Sequence, residues 1–251
     1  MYPVLLEFGG FSLYAYGATL ALAFIVGIIW MLKEAPGKGF NTDYLYEAYI
    51  ISIFLAIAGS RIAYVMLNWE LYQDAPLWRT LFAWRGGLSF HGGLIAVLLG
   101  LLLHCYYRRV SFLKLMDFGA PFIALGYAIT RVGCFLNGCC YGNVTAGPWG
   151  LVFPLIDGLP RHPTQLYAVF AGLVIFMLLR YLRRYSFFDG YIFILFLIFN
   201  GVYRFVVEFF RVNEPAWWLL SQAQLISLFM IAVALIFFAW KFRKHNFPKM
   251  R

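Results

Sequence analysis

The chain has 251 residues, 63% of them hydrophobic and only 12% charged, whereas a soluble domain is about half apolar and about a quarter charged. The apolar residues fall in long runs, not in the alternation of a barrel strand, so the pattern excludes a soluble domain and demands helices that satisfy their own backbone hydrogen bonds in lipid. The net charge of +9 reflects membrane topology and contact with anionic lipids, not nucleic-acid binding.

Crossing a bilayer takes about 20 apolar residues, and seven runs qualify: 11–32, 48–68, 88–107, 115–136, 165–182, 188–210 and 219–240. The sequence therefore predicts an all-α polytopic membrane protein of about seven transmembrane helices. A single transmembrane domain over residues 1–251 is expected, without a soluble domain or the internal repeat of an inverted-repeat transporter. The first run lacks the basic flank and small-residue cleavage site of a signal peptide and is read as a mature helix. The connections after the first, third, fifth and seventh runs hold thirteen of the 20 Lys and Arg; the opposite side holds only Arg79, Arg85, Arg161 and Arg211. By the positive-inside rule the N-terminus lies outside (periplasmic) and the C-terminus is cytoplasmic. The two longest loops, about 69–87 and 137–164, then lie outside, where they are expected to form a small periplasmic-side cap that carries function.

In chain order, the polar residues of the outer ends begin with Tyr14 and Tyr16, which suit the aromatic belt at the headgroups. His91 opens the third run between Phe90 and the pair Gly92–Gly93, which admits close approach, and a histidine can accept a proton near neutral pH. His104 and Cys105, at the inner end of the same run, are read as structural. Arg131 stands just before the segment 133–142 (GCFLNGCCYG), where Asn137, Gly138 and Gly142 suggest a tight loop with backbone N–H groups free for a ligand. For Cys134, Cys139 and Cys140, free thiols, a disulfide from Cys134 and, with His162, a metal site all stay open. The segment 161–167 (RHPTQLY) enters the fifth run, with Pro163 placed to begin the helix. Arg204, Glu208 and Arg211, at i, i+4 and i+7, share one face of a continuous helix. Charges in a membrane default to function, and two guanidinium groups steadied by one carboxylate suit a phosphate. The sequence has no Gly-rich phosphate loop with Lys, no paired-His metal motif and no serine nucleophile elbow.

Five segments together resemble the bacterial prolipoprotein diacylglyceryl transferase family: Tyr16–Gly17, 84–93 (WRGGLSFHGG), 131–138 (RVGCFLNG), 161–167 (RHPTQLY) and Arg204–Arg211 with its Arg-x-x-x-Glu-Phe-Phe-Arg pattern. The resemblance implies a seven-helix enzyme of the bacterial inner membrane. It would move the diacylglyceryl group of phosphatidylglycerol to the lipobox cysteine of a preprolipoprotein signal peptide, with no metal or organic cofactor required. Arg131 corresponds to the family's signature arginine, Arg204, Glu208 and Arg211 to its second charged cluster, His91 to its important histidine and Tyr16 to the tyrosine of its first helix. On this match the catalytic set is His91, Arg131, Arg204 and Glu208. Substrate binding falls to Tyr16, Arg85, Asn137, Gly138, Gly142, His162, Gln165 and Arg211. The chain departs from the commonest signature, Arg-x-Gly-Asn-Phe-x-Asn-Gly-Glu, by carrying Cys134 for the first Asn and Cys139 for the Glu, and Asn200 stands where a Tyr is usual. The alternatives are a divergent member with another thiol acceptor or lipid donor, and a transporter or binding protein for anionic lipids.

Overall fold

A computed structural model of the chain describes residues 1–9, 11–73, 76, 78, 80, 86–154, 156–213, 216, 217 and 219–246. A short antiparallel hairpin, β1 (Val4–Phe8) and β2 (Phe11–Tyr14), leads into α1 (Ala15–Glu34), α2 (Thr42–Leu67), α3 (Phe90–Arg108) and α4 (Phe112–Leu136). A second small hairpin, β3 (Leu151–Val152) and β4 (Pro160–Arg161), precedes α5 (Thr164–Leu182), α6 (Tyr191–Val207) and α7 (Gln222–Asn246). All seven helices are long and apolar enough to cross a membrane, and the chain is an all-α, multi-pass membrane protein.

Each apolar run becomes one helix, with ends that move by up to six residues; two of these shifts bear on the site. The first helix starts at Ala15 because residues 11–14 are taken by β2, with Leu6 opposite Leu13 and Glu7 opposite Ser12. A short apolar stretch running straight into a helical one offers no periodicity to separate strand from helix. The sixth helix stops at Val207; Glu208–Phe210 tighten into a 3-10 turn and Arg211 is extended (φ −96, ψ 153). Arg211 therefore does not share a helix face with Arg204 and Glu208, correcting the i, i+7 expectation.

The fold forms two compact units, residues 1–29 with 116–251, and residues 30–115. In the larger unit small residues let helix backbones meet, as membrane packing favours. A Cβ on Gly133 of α4 would lie 1.9 Å from Thr19 Oγ1 and 3.1 Å from Tyr16 Cα of α1, and one on Gly201 of α6 would lie 2.7 Å from Ile231 of α7. A Cβ on Gly172 of α5 would approach Ala128 of α4 to 3.0 Å. Among the seven helices α4 is the most buried. Pro121 within it has no N–H for the Asp117 carbonyl one turn earlier; Arg183, beyond α5, donates to that carbonyl at 3.4 Å and to Phe118 O at 2.7 Å. The Asp117 carboxylate accepts from Gly190 N–H (2.7 Å) and Phe193 N–H (2.8 Å), closing the N-terminus of α6 from a neighbouring helix.

In the smaller unit α2 and α3 pack through facing small residues. A Cβ on Gly92 would lie 2.2 Å from Ala63 Cβ and 2.6 Å from Gly59 O; one on Gly93 would lie 2.3 Å from Ser60 Oγ. The glycines beside His91 thus admit the close approach expected of them, and what approaches is the neighbouring helix α2. Arg61 of α2 is 7% exposed and donates to Thr80 O (2.6 Å), Gly86 O (2.8 Å) and Gly87 O (3.0 Å). An arginine inside a span here holds loop carbonyls. Glu47 is paired with Arg108 at 2.6 Å, and His104 stacks on Tyr44 with centroids 4.9 Å apart.

Candidate active site

In the larger unit the arginines converge through two tyrosines. Tyr127 and Arg131 are one turn apart on α4, and the guanidinium carbon lies 4.8 Å from the Tyr127 ring centroid, a cation–π contact. Tyr127 meets Tyr203 of α6 edge-on at 6.2 Å. Tyr203 lies within charge reach of both Arg131 and Arg204, and Tyr16 of α1 within reach of Arg131. Arg131 has no carboxylate partner among the described residues. A membrane-embedded cation held by a tyrosine, with no carboxylate among the described residues, is available to an anion.

Glu208 is 6% exposed. Its Oε2 lies 3.3 Å from Arg204 Nη2, close enough for an ion pair but without hydrogen-bond alignment. Its Oε1 accepts from Ser221 Oγ at 3.3 Å. Ser221 heads α7 in a reciprocal box: Gln224 N–H donates to Ser221 Oγ (3.3 Å), and Ser221 N–H to Gln224 Oε1 (2.9 Å). The carboxylate therefore sits at the positive end of α7, which favours its charge, and joins α6 to α7 while leaving most Arg204 donors without a partner among the described residues. Arg211 also keeps a donor in reserve, since its buried Nε has no partner among the described residues.

The segment after α4 is folded back and clamped. Gly142 N–H donates to His162 O (2.8 Å), Asn143 N–H to Phe210 O (2.8 Å) and Asn143 Nδ2 to Arg211 O (3.1 Å). A Cβ on Gly142 would fall 2.2 Å from Phe210 O and 2.8 Å from His162 Cβ. Asn137 N–H returns to Gly133 O (2.9 Å) and Gly138 N–H to Phe135 O (3.1 Å). The N–H groups of Asn137, Gly138 and Gly142 are thus all engaged within the protein, correcting the expectation that they stand free for a ligand; Gly138 (φ 70) supplies a left-handed turn and Gly142 supplies room. Thr164 Oγ1 donates to Cys140 O and Gln165 Nε2 to Cys139 O, each at 2.6 Å, so the start of α5 fixes the cysteine turn instead of capping itself. His162 Nδ1 is 3.0 Å from Tyr167 Oη, and its ring packs on Phe210 at 5.1 Å. Arg161 pairs with Asp157 and donates to Gly142 O at 3.2 Å.

The thiols of Cys134, Cys139 and Cys140 are free, and their sulfur atoms all lie within 4.8 Å of one another. A hydrogen bond with Cys134 and the charges of Arg131 and Arg211 hold the Cys140 thiol well below the usual thiol range, against the opposing effect of burial. A cavity of about 550 Å³ opens beside this centre, walled mainly by α5 and α6, with His162, Tyr167 and Tyr203 among apolar neighbours such as Phe170 and Val206.

His91 belongs to the smaller unit. It is exposed, packs edge-on against Phe90 with centroids 5.6 Å apart, and has no hydrogen-bond partner among the described residues. Arg85 lies outside the described residues. Sequence reasoning missed Tyr127, Tyr203, Ser221, Gln224 and Thr164. Of these only Ser221 and Gln224 carried a signal, the S-x-x-Q spacing ahead of an apolar run; the tyrosines look like belt residues until their partners are known.

The profile described as prolipoprotein diacylglyceryl transferase matches residues 3–240. A phosphatidylglycerol–prolipoprotein diacylglyceryl transferase of Aliivibrio fischeri is 34% identical over 257 residues, covering 99% of this chain and 92% of the relative. The protein of the same name from Clostridium tetani is 34% identical over 97% of this chain and 100% of its own length, and that from Geobacter sulfurreducens is 36% identical over 93% and 92%. With its seven apolar helices and its arginines gathered about Tyr203, the chain belongs to the prolipoprotein diacylglyceryl transferase family.

Proposed function

We propose that the protein transfers the diacylglyceryl group of phosphatidylglycerol to the lipobox cysteine thiol of a preprolipoprotein signal peptide, the first step of lipoprotein maturation. The observation that supports this reading is the chain Arg131–Tyr127–Tyr203, at 4.8 and 6.2 Å, with Arg204 also within charge reach of Tyr203 and Arg131 lacking any carboxylate of its own among the described residues. The reaction is an alkyl transfer. A thiolate attacks the lipid glycerol carbon that bears the phosphate ester, the C–S bond forms, the C–O bond breaks, and glycerol phosphate leaves with the electron pair. Negative charge grows on the phosphate oxygens, where preorganised guanidinium donors stabilise it most. Arg131 and Arg204 fill that role, Arg211 offers a third donor, and Glu208 positions Arg204. His91, exposed and unpartnered among the described residues, is the candidate acceptor for the thiol proton. The apolar cavity between α5 and α6 suits acyl chains entering sideways from the bilayer. Tyr16, Arg85, His162 and Gln165 complete the substrate-binding set, Gln165 by holding the cysteine turn. The site faces away from the basic loops, toward the periplasm of the bacterial inner membrane, with the loop about 137–164 as part of its cap.

The test is a transfer assay with purified protein, phosphatidylglycerol labelled in its acyl chains, and a lipobox peptide beside the same peptide with Ser for Cys. Label is expected on the Cys peptide alone, with glycerol phosphate released in equal amount. Well-folded protein that labels neither peptide would overturn the reading.

A further inference from the structure

Cys134, Cys139 and Cys140 are gathered with care and used by none of the steps above. Cys134 lies in the last turn of α4. The chain then reverses at Gly138 (φ 70), and Cys139 N–H returns to the Cys134 carbonyl at 3.1 Å. Cys140 takes a left-handed conformation (φ 62), which is uncommon for a residue with a side chain and persists where its surroundings impose it. Thr164 and Gln165 impose it by holding the carbonyls of Cys140 and Cys139, respectively, at 2.6 Å each. The outcome is three free thiols whose sulfur atoms all lie within 4.8 Å of one another.

That spacing fits a metal. Thiolates about 2.3 Å from a tetrahedral zinc ion are about 3.8 Å apart, so small side-chain rotations bring all three onto one ion. Arg131 and Arg211 stand within charge reach of Cys140 and offset the excess negative charge of three thiolates on a divalent ion. Three protein ligands and one open position form the pattern of a reactive zinc site, whereas a fourth protein ligand closes a structural one. A thiol that joins such an ion loses its proton outright, and a thiolate is what alkyl transfer consumes.

We infer that Cys134, Cys139 and Cys140 form a tri-thiolate site for a thiophilic divalent metal ion, zinc foremost, whose open fourth position takes the acceptor cysteine thiol. The identity of that fourth ligand rests on the transferase reading. The acceptor thiol displaces a bound water and gives its proton to base or solvent; its sulfur then attacks the lipid carbon as glycerol phosphate leaves. The neutral thioether is a poor ligand and yields its place to water. The metal keeps one oxidation state throughout.

The experiment uses full-length protein in detergent with a phosphine reductant, Co(II) as the spectroscopic probe, and no phosphatidylglycerol. One equivalent of Co(II) is expected to give thiolate-to-metal charge-transfer absorption, lost in the Cys139→Ser/Cys140→Ser double variant. The lipobox Cys peptide is expected to raise that absorption in the ratio of four thiolates to three, and the Ser peptide to leave it unchanged. Zinc-edge X-ray absorption on the wild type counts the sulfur ligands without any variant, so a misfolded double variant does not rescue or sink the site. No stoichiometric binding overturns the inference, and so does a metal complex indifferent to the Cys peptide. A peptide that adds its thiolate yet receives no lipid when phosphatidylglycerol is supplied supports the metal site and overturns the transferase reading instead.

Discussion

Arg204 and Glu208 meet at 3.3 Å across the end of α6, and the two are not buried alike: their side chains are 31% and 4% exposed. The carboxylate is the fixed member, held by Ser221 and the start of α7; the guanidinium leans out from it with donors to spare. In the transfer reaction proposed for this site, Glu208 would act on substrate through Arg204.

Glu208→Ala strands a partly buried cation and releases the Ser221 hydroxyl. Because water reaches Arg204, the loss of stability is expected to be about 1–3 kcal/mol, below that for a fully enclosed pair. Thermal melts of Glu208→Ala, Arg204→Ala and the double variant should give a coupling energy above about 0.5 kcal/mol. Additive losses would show that the 3.3 Å approach carries no energy.

Arg131 is the opposite case, a charge with an aromatic face and no acid among the described residues. Its removal breaks no ion pair, so Arg131→Ala is expected to melt within about 1 kcal/mol of wild type, the worth of an exposed or partly exposed cation–π contact. Transfer should fall about 100-fold to 1000-fold, as when one preorganised donor to a developing anion is lost. Arg131→Lys keeps the charge but not the planar fork and should recover only part of the rate. Full activity in Arg131→Ala would remove it from the site.

The seven helices were legible because each needs only a long apolar run, and Arg131, Arg204 and Glu208 stood out as charges without an obvious place in lipid. What failed were inferences that needed to know where an element ends. Arg211 was placed on a helix face that stops four residues earlier, at Val207. The N–H groups of Asn137, Gly138 and Gly142 read as free because the carbonyls that engage them could not be foreseen, two within the turn itself and one on distant His162. Gly92 and Gly93 were correctly read as sites of close approach, but sequence cannot say whether a ligand or a second helix comes near. Asp117 passed unnoticed because its value lies in the free N–H groups of α6, more than 70 residues away.

Gly142 tests the clamp directly. A methyl group there would meet Phe210 O at 2.2 Å, a backbone atom that cannot rotate aside. Overpacking costs about 1–3 kcal/mol even where side chains can yield, so Gly142→Ala should lie at or beyond the upper end and expose the 142–162 segment to proteolysis. Gly119→Ala is the control, since nothing lies within 4 Å of its added Cβ; it should melt like the wild type or slightly above. Equal behaviour of the two variants would mean that the segment does not pack against Phe210 and His162 as described.

Asp117 separates support from chemistry. Its two carboxylate oxygens accept from Gly190 N–H, just before α6, at 2.7 Å and from Phe193 N–H in its first turn at 2.8 Å. Asp117→Asn keeps one acceptor and turns an NH2 group toward the other donor, leaving that donor unsatisfied at a cost of about 1–3 kcal/mol; Asp117→Ala orphans both and should cost more. Tyr203 and Arg204 lie at the far end of the same helix, roughly 12–14 residues on, or about 20 Å at 1.5 Å per residue. Fraying the first turn of α6 should therefore lower the melting temperature in the order wild type, Asn, Ala, while transfer per folded molecule stays unchanged. If Asp117→Asn melts like wild type but transfers poorly, Asp117 has a part in the reaction that its hydrogen bonds to α6 do not explain.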